Sequence, residues 1–202
     1  KEITVVPNFV DLAKFRTQLN ICKEDNEGYK IITHVSNFRP VKNVRGVIDF
    51  FEKLSSNIKS KLKLIGEGPE LEAVRDIVER KKIKNVYFLG NTQQVERELC
   101  HSDLFILPSK TESFGLSALE AMASKNVIIS SNVGGLPEVN IHNHTGFLTD
   151  YNNIDQMVEF AQTILKNDIL LNNFKENAFE RAAFFDIETV IKKYLALYES
   201  FI

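Results

Sequence analysis

The stretch Leu104-Phe105-Ile106-Leu107-Pro108-Ser109-Lys110-Thr111-Glu112-Ser113-Phe114-Gly115-Leu116-Ser117-Ala118-Leu119-Glu120-Ala121-Met122-Ala123 decides how this chain is read. Leu104–Leu107 has the length and apolar character of a strand covered on both faces. Gly115 then opens a helical pattern that runs to Ser124. A helix start presents unpaired backbone N–H groups and a partial positive charge, which suit a phosphate. Glu112 precedes that start and Glu120 lies inside the helix, so two carboxylates can accept hydrogen bonds from sugar hydroxyls around one phosphate seat. A diphosphate between two hydroxyl-rich rings describes a nucleotide sugar.

The same strand–helix unit repeats on either side. Strands are expected at Lys30–Val35, Lys61–Ile65, Val86–Leu89, Val127–Ser130 and Gly146–Leu148. Helices are expected at Val44–Leu54, Glu70–Lys81, Gln93–Cys100 and, least regularly, Leu136–Asn140. The alternation predicts an α/β fold: a Rossmann-like doubly wound parallel sheet of about six strands, helices on both faces and right-handed crossovers. After Thr149 only helical patterns follow, at Asn153–Lys166, Asp168–Ala183 and Ile187–Phe201. The last carries Tyr194, Tyr198 and Phe201, which either pack on this domain or cross to a neighbour. Asn20–Gly28 reads as a polar loop. Residues 1–202 are read as a single nucleotide-sugar-binding domain. It opens on Ile3-Thr4-Val5-Val6-Pro7-Asn8, a strand already under way, so an excised domain is expected.

A chain of 202 residues with 44% hydrophobic and 26% charged residues is ordinary for a soluble globular protein. A net charge of −2 gives no basis for a nucleic-acid or anionic-membrane partner. No apolar run approaches the roughly 20 residues of a membrane span, and no secretory signal is present. Cys22 and Cys100 lack CxxC or His-rich spacing, so neither a disulfide framework nor a zinc site is expected, and a cytoplasmic location follows. His34 reads as packed or hydrogen-bonded, while His101, His142 and His144 have no partner at metal or triad spacing.

In open α/β sheets ligands bind beyond the carboxyl ends of the strands. Ser36-Asn37-Phe38-Arg39-Pro40-Val41-Lys42 falls there and offers Arg39 and Lys42 to one anionic group. Gly66-Glu67-Gly68-Pro69-Glu70 is either a plain turn or part of a nucleotide pocket. Gly90-Asn91 can lend backbone groups to a base edge. In Gly134-Gly135-Leu136-Pro137-Glu138 the paired glycines permit close approach to a ligand, and a plain turn explains them equally well. There is no GxxxxGK[ST], no GxGxxG at the first strand–helix turn and no GxSxG. Asp-x-Asp, which would hold a metal against a diphosphate, is also lacking. Arg39, Lys42 and backbone N–H groups must then neutralise a bound diphosphate.

Glu112-x7-Glu120 enclosing Phe114-Gly115-Leu116 resembles the signature of family-4 retaining glycosyltransferases of the GT-B fold. Gly66-Glu67-Gly68-Pro69 and Gly134-Gly135-Leu136-Pro137-Glu138 fit it in the same order, and the likeness runs from Val6 to the end. The resemblance implies the carboxy-terminal, donor-binding half of a two-domain enzyme. Residues 1–10 would lead in from an absent amino-terminal domain that holds the acceptor, and residues 186–202 would return to it. Ile32-Thr33-His34-Val35-Ser36-Asn37-Phe38-Arg39-Pro40-Val41-Lys42, with Phe88-Leu89-Gly90 and Ser102-Asp103-Leu104, is similar to members of the bacillithiol pathway. The resemblance is to the transferase step that opens that pathway, with UDP-N-acetylglucosamine as donor and L-malate as acceptor.

By this resemblance Arg39, Lys42 and Glu112 are catalytic: the two cations neutralise the leaving UDP, and Glu112 meets donor-sugar hydroxyls near C3 and C4. Glu120 holds the ribose, and backbone groups around Ser113, Phe114, Gly115 and Leu116 cradle the β-phosphate. Gly66, Gly90 and Asn91 line the nucleotide. Transfer proceeds with retention, and the departing phosphate takes the acceptor proton, so no general base is assigned. No cofactor and no metal are implied, and the fragment alone is expected to bind UDP weakly without turnover. Two departures stand out. Many relatives carry arginine where Asn37 stands, and the glycine common after the motif helix is replaced within Ala123-Ser124-Lys125-Asn126, where Asn126 is expected to turn left-handed. A polysaccharide-building transferase of the same family, a non-catalytic nucleotide-binding module, a nucleotide-sugar epimerase and a homodimeric state remain alternatives.

Overall fold

The computed structural model describes residues 5–22 and 27–199. Six strands form one parallel sheet: β1 (Lys30–Val35), β2 (Ser60–Ile65), β3 (Val86–Gly90), β4 (Leu104–Leu107), β5 (Val127–Ser131) and β6 (Gly146–Thr149). Their order is β3-β2-β1-β4-β5-β6. β4 and β5 are buried along their whole length, as expected of central strands covered on both faces. The order reverses between β1 and β4, and the loops leaving those two strands part there to open a crevice.

The helices are α1 (Leu12–Ile21), α2 (Val44–Ser55), α3 (Leu71–Lys81), α4 (Val95–Leu99), α5 (Leu116–Ala123), α6 (Leu136–Val139), α7 (Ile154–Leu165), α8 (Asp168–Ala183) and α9 (Ile187–Glu199). Two cores result. One packs α2, α3 and α7 on one sheet face around Phe50, Phe51, Ile48 and Leu62. The other packs α1, α5, α6 and part of α8 on the opposite face around Phe105, Leu107, Leu119 and Met122. In α2 the buried Val44, Val47, Ile48, Phe51 and Leu54 recur at helical spacing, so burial of one stripe holds the helix. Leaving Phe51 as alanine would cost about 3–5 kcal/mol.

Several expectations are corrected. Residues 5–9 form no strand, Val10 instead makes a bridge to Asp186, and residues 1–4 lie outside the described residues. α1 was not expected, because only Leu12 and Phe15 of its ten residues are buried and the periodic signal is weak. Asp11 starts it by accepting from the Lys14 amide at 3.1 Å. Asn20 and Ile21, expected in a loop, belong to α1, and residues 23–26 of that loop lie outside the described residues. Cys22 and Cys100 are joined by a disulfide, contrary to expectation. They end α1 and α4, two helices that pack together, a pairing that sequence spacing does not disclose. Lys125, not Asn126, takes the left-handed conformation (φ 58°). Asn126 is buried, and its amide donates to the Leu99 and Ser124 carbonyls at 2.9 and 3.0 Å.

Candidate active site

The loop leaving β1 is fixed from inside. His34 is fully buried, with Nδ1 2.8 Å from the Ile106 carbonyl and Nε2 2.8 Å from Ser36 Oγ. Burial holds its pKa down at about 4, so the imidazole is neutral: Nδ1–H donates to the carbonyl and Nε2 accepts from the serine hydroxyl. Ser36 Oγ in turn accepts from the Phe38 amide at 3.2 Å, and the Phe38 ring is fully buried. A 3-10 turn at Pro40–Lys42 follows, and Asn43 caps α2 by accepting from the Gly46 amide. Arg39 and Lys42 are thereby presented from an anchored loop.

The glycine turns seat this loop and its counterpart, which is their structural purpose. At Gly66 (φ +122°) a Cβ would lie 1.8 Å from the Ser36 carbonyl oxygen. At Gly134 (φ +53°) a Cβ would lie 1.7 Å from the Glu112 carbonyl oxygen, and the Gly135 amide donates to that same oxygen at 3.2 Å. The close approach is thus made to the chain's own loops, at the Ser36 and Glu112 carbonyls, as a plain turn requires.

Two cavities meet at Asn37, which lines both. The first, of 570 Å³, lies beyond β1, β4 and β5 and is lined by Arg39, Lys42, Glu112, Ser113 and Gly134 among others. The Lys42 ammonium is bonded to the Glu112 carboxylate, and both side chains are mostly buried. Arg39 is exposed and pairs with no carboxylate among the described residues. The second cavity, of 500 Å³, lies beyond β1, β2 and β3 and is lined by Gly66, Glu67, Asn91 and Glu120 among others. Burial raises the Glu120 carboxyl above the ordinary carboxylate range; Lys14 pulls it back and the Glu96 charge adds to the rise.

Not every expected residue lines a cavity. Phe114 is buried edge-on against Phe185. Gly90 accepts from the Gly66 amide at 2.8 Å and thereby shapes the turn. Gly115 (φ +96°) and the exposed Leu116 start α5, whose N-cap offers no side-chain acceptor to the first amides. Sequence reasoning missed Lys14, Thr92 and Gln93, which also line the second cavity. Lys14 sits on the unexpected helix, and Thr92 and Gln93 extend the Gly90-Asn91 signal. His101, expected to have no partner at metal or triad spacing, lies with Nδ1 3.4 Å from Cys22 Sγ.

No helix among the described residues is long and apolar enough to cross a membrane. The family model of glycosyl transferases group 1 matches residues 18–181. The chain is 37% identical over 204 residues to N-acetyl-alpha-D-glucosaminyl L-malate synthase of Bacillus anthracis, covering 98% of the chain and 54% of that protein. It is 28% identical over 178 residues to poly(ribitol-phosphate) alpha-N-acetylglucosaminyltransferase of Staphylococcus aureus, covering 85% of the chain and 36% of that protein. The chain thus spans about half or less of these relatives. Among solved structures, S. aureus TarM in complex with fondaparinux, alpha-GlcNAc-glycerol and UDP matches with a TM-score of 0.82 at 25% identity, over 98% of this chain and 40% of that one. Anabaena HepE in complex with UDP and glucose matches with a TM-score of 0.86 at 21% identity, over 98% and 56% respectively, and supports the fold. With the matched region holding every lining residue of the two cavities but Lys14, the chain belongs to the group 1 glycosyl transferases, with the fold of the GT-B carboxy-terminal domain.

Proposed function

We propose that this chain is the donor-binding half of a retaining glycosyltransferase that takes N-acetylglucosamine from UDP-N-acetylglucosamine to L-malate. The observation that carries the donor reading is the joining, at the switch point, of a cavity holding Arg39, Lys42 and Glu112 to one holding Glu120. The uridine would occupy the second cavity with its ribose on Glu120. The diphosphate would cross Asn37 to the first amides of α5 and to Arg39 and Lys42. The sugar would lie in the first cavity against Glu112. Departure of UDP builds negative charge on the diphosphate, and preorganised donors aimed there lower the barrier. With two side-chain cations and a helix start in place, the reading needs no metal and no cofactor.

The acceptor reading rests on the likeness to the malate synthase. An amino-terminal half would supply acceptor contacts and exclude water on closure. The exposed Ile191, Leu195 and Tyr198 of α9 offer an apolar face for it. A polyol-phosphate or other polysaccharide acceptor is the second reading, favoured by the likeness to the poly(ribitol-phosphate) enzyme. The family match supports neither an epimerase nor a non-catalytic module. A cytoplasmic setting belongs to the proposal; cytosolic disulfides are chiefly transient or redox-sensing, so Cys22–Cys100 would open and close there.

The test is to incubate the complete enzyme with UDP-N-acetylglucosamine and either L-malate or a poly(ribitol-phosphate) acceptor. Formation of an α-linked N-acetylglucosaminyl malate supports the first reading. Transfer to the polymer alone supports the second, and transfer to neither contradicts both.

A further inference from the structure

Lys14 of α1 stands at the wall of the second cavity, and its Nζ lies 2.9 Å from Glu96 Oε2 of α4. The Glu96 side chain is only 10% exposed, and its Oε2 makes no hydrogen bond, so the contact is purely an ion pair. Glu120 of α5 lines the same cavity. α1, α4 and α5 pack against one another, and together they bring one cation to two acids. We propose that Lys14 is a positioning residue for nucleotide binding: it neutralises Glu96, so that Glu120 remains a two-oxygen acceptor for vicinal ribose hydroxyls. This rests on the nucleotide reading of the cavity.

Two carboxylates that share a partly desolvated site cannot both stay ionised without a counter-charge. If one takes up a proton, it becomes a donor with reduced acceptor capacity. A protonated Glu120 cannot accept from two neighbouring hydroxyls through two free oxygens. Burial already pushes Glu120 toward its protonated form, Glu96 pushes the same way, and Lys14 opposes both. The other nearby charges are engaged elsewhere or exposed: Arg16 of α1 is exposed and lies over the Phe179 ring at 5.6 Å, and Glu180 of α8 is exposed. Glu67, in the same cavity, accepts from the Asn91 amide at 3.0 Å. On α4, Glu98 pairs with Lys63 at 2.8 Å, and Arg97 is exposed. On α8, which packs against α5, Lys175 holds Asp103 and Glu176 holds Lys125. Arg181 of α8 donates to the carbonyl of Glu138 on α6. β4 and β5 carry no charged side chain. Lys14 is therefore the cation that decides the balance between the two acids.

UMP, a ligand with ribose and one phosphate, is the probe. Its affinity is measured by calorimetry between pH 5 and pH 8 for the chain and for Lys14→Met, Lys14→Arg and Lys14→Met/Glu96→Gln. The Glu120 carboxyl is followed by carbon NMR without ligand. Lys14→Met is expected to move the acidic loss of UMP affinity and the Glu120 titration together to higher pH, and to weaken binding about tenfold near pH 6. Lys14→Arg keeps the original profile, and Glu96→Gln added to Lys14→Met restores it. A loss of affinity equal at every pH, an unmoved Glu120 titration, or no rescue by Glu96→Gln overturns the inference alone. Absence of UMP binding by the unaltered chain overturns the nucleotide reading as well.

Discussion

Lys42 and Glu112, 70 residues apart in the chain, are bonded to each other across the first cavity. One follows β1 and the other follows β4, so the pair bridges the two loops that part at the switch point. Both side chains are mostly buried, and each compensates the desolvation of the other. In the proposed reading an arriving donor would compete for both: its diphosphate for Lys42, its sugar hydroxyls for Glu112. The pair cancels its own two charges, leaves Arg39 as an uncompensated cation in the same cavity, and holds both groups in place.

That competition gives a prediction with opposite signs for two ligands. Glu112→Gln releases Lys42, so affinity for UDP, which has no sugar, is expected to hold or rise a few-fold. Transfer from UDP-N-acetylglucosamine by the complete enzyme should fall by about 10²-fold or more as the sugar loses a charged acceptor. Calorimetry and product assays on the one variant check both signs.

The seating of Glu112 on Gly134 gives a second. A Cβ at position 134 would lie 1.7 Å from the Glu112 carbonyl oxygen, so the backbone must move. A displacement of about 1 Å at a reacting centre costs about 10²-fold in rate. Gly134→Ala should therefore depress transfer by about that factor while UMP affinity changes little, because Glu120 lies in the other cavity. Kinetics and calorimetry of the variant separate the two effects.

His34 sets a pH dependence of stability. It protonates at about 4 in the fold, below the 6.5 expected when unfolded. The unfolded chain thus binds more protons between those values. The contribution is complete above about pH 6.5 and is lost as pH falls through about 4, amounting to about 3 kcal/mol. Urea denaturation at pH 7 and pH 4 should show the stability difference between wild type and His34→Gln shrinking by that amount at the lower pH.

The disulfide closes a sequence separation of 78 residues. Chain-entropy arguments give such a link about 4.5 kcal/mol of stabilisation. Cys22→Ser/Cys100→Ser should lower the urea midpoint accordingly. Dithiothreitol should bring the wild type to the variant's curve and leave the variant unmoved.

The strands, most helices and the Glu112–Glu120 motif were legible because each is a local signal: apolar runs of strand length, stripes at helical spacing, glycine at a helix start. α1 was not, since a ten-residue helix with two buried side chains barely differs in pattern from a loop. Asp11 ahead of Leu12 was the cue available. The Lys42–Glu112 bond, the Cys22–Cys100 link and the place of Lys14 beside Glu96 arise from contacts between distant elements, which no spacing rule encodes. The glycine pairs were visible as turns, but the partners they approach belong to loops remote in sequence. Phe114 lay inside a recognisable motif, yet its ring was claimed by Phe185 in the core.

The most direct test of the account is calorimetric titration of the chain with UDP, alongside Glu120→Gln. Saturable binding by the chain is expected, weakened at least about tenfold, or about 1.4 kcal/mol, by the substitution. No saturable UDP binding, or equal affinity in the two proteins, would contradict it.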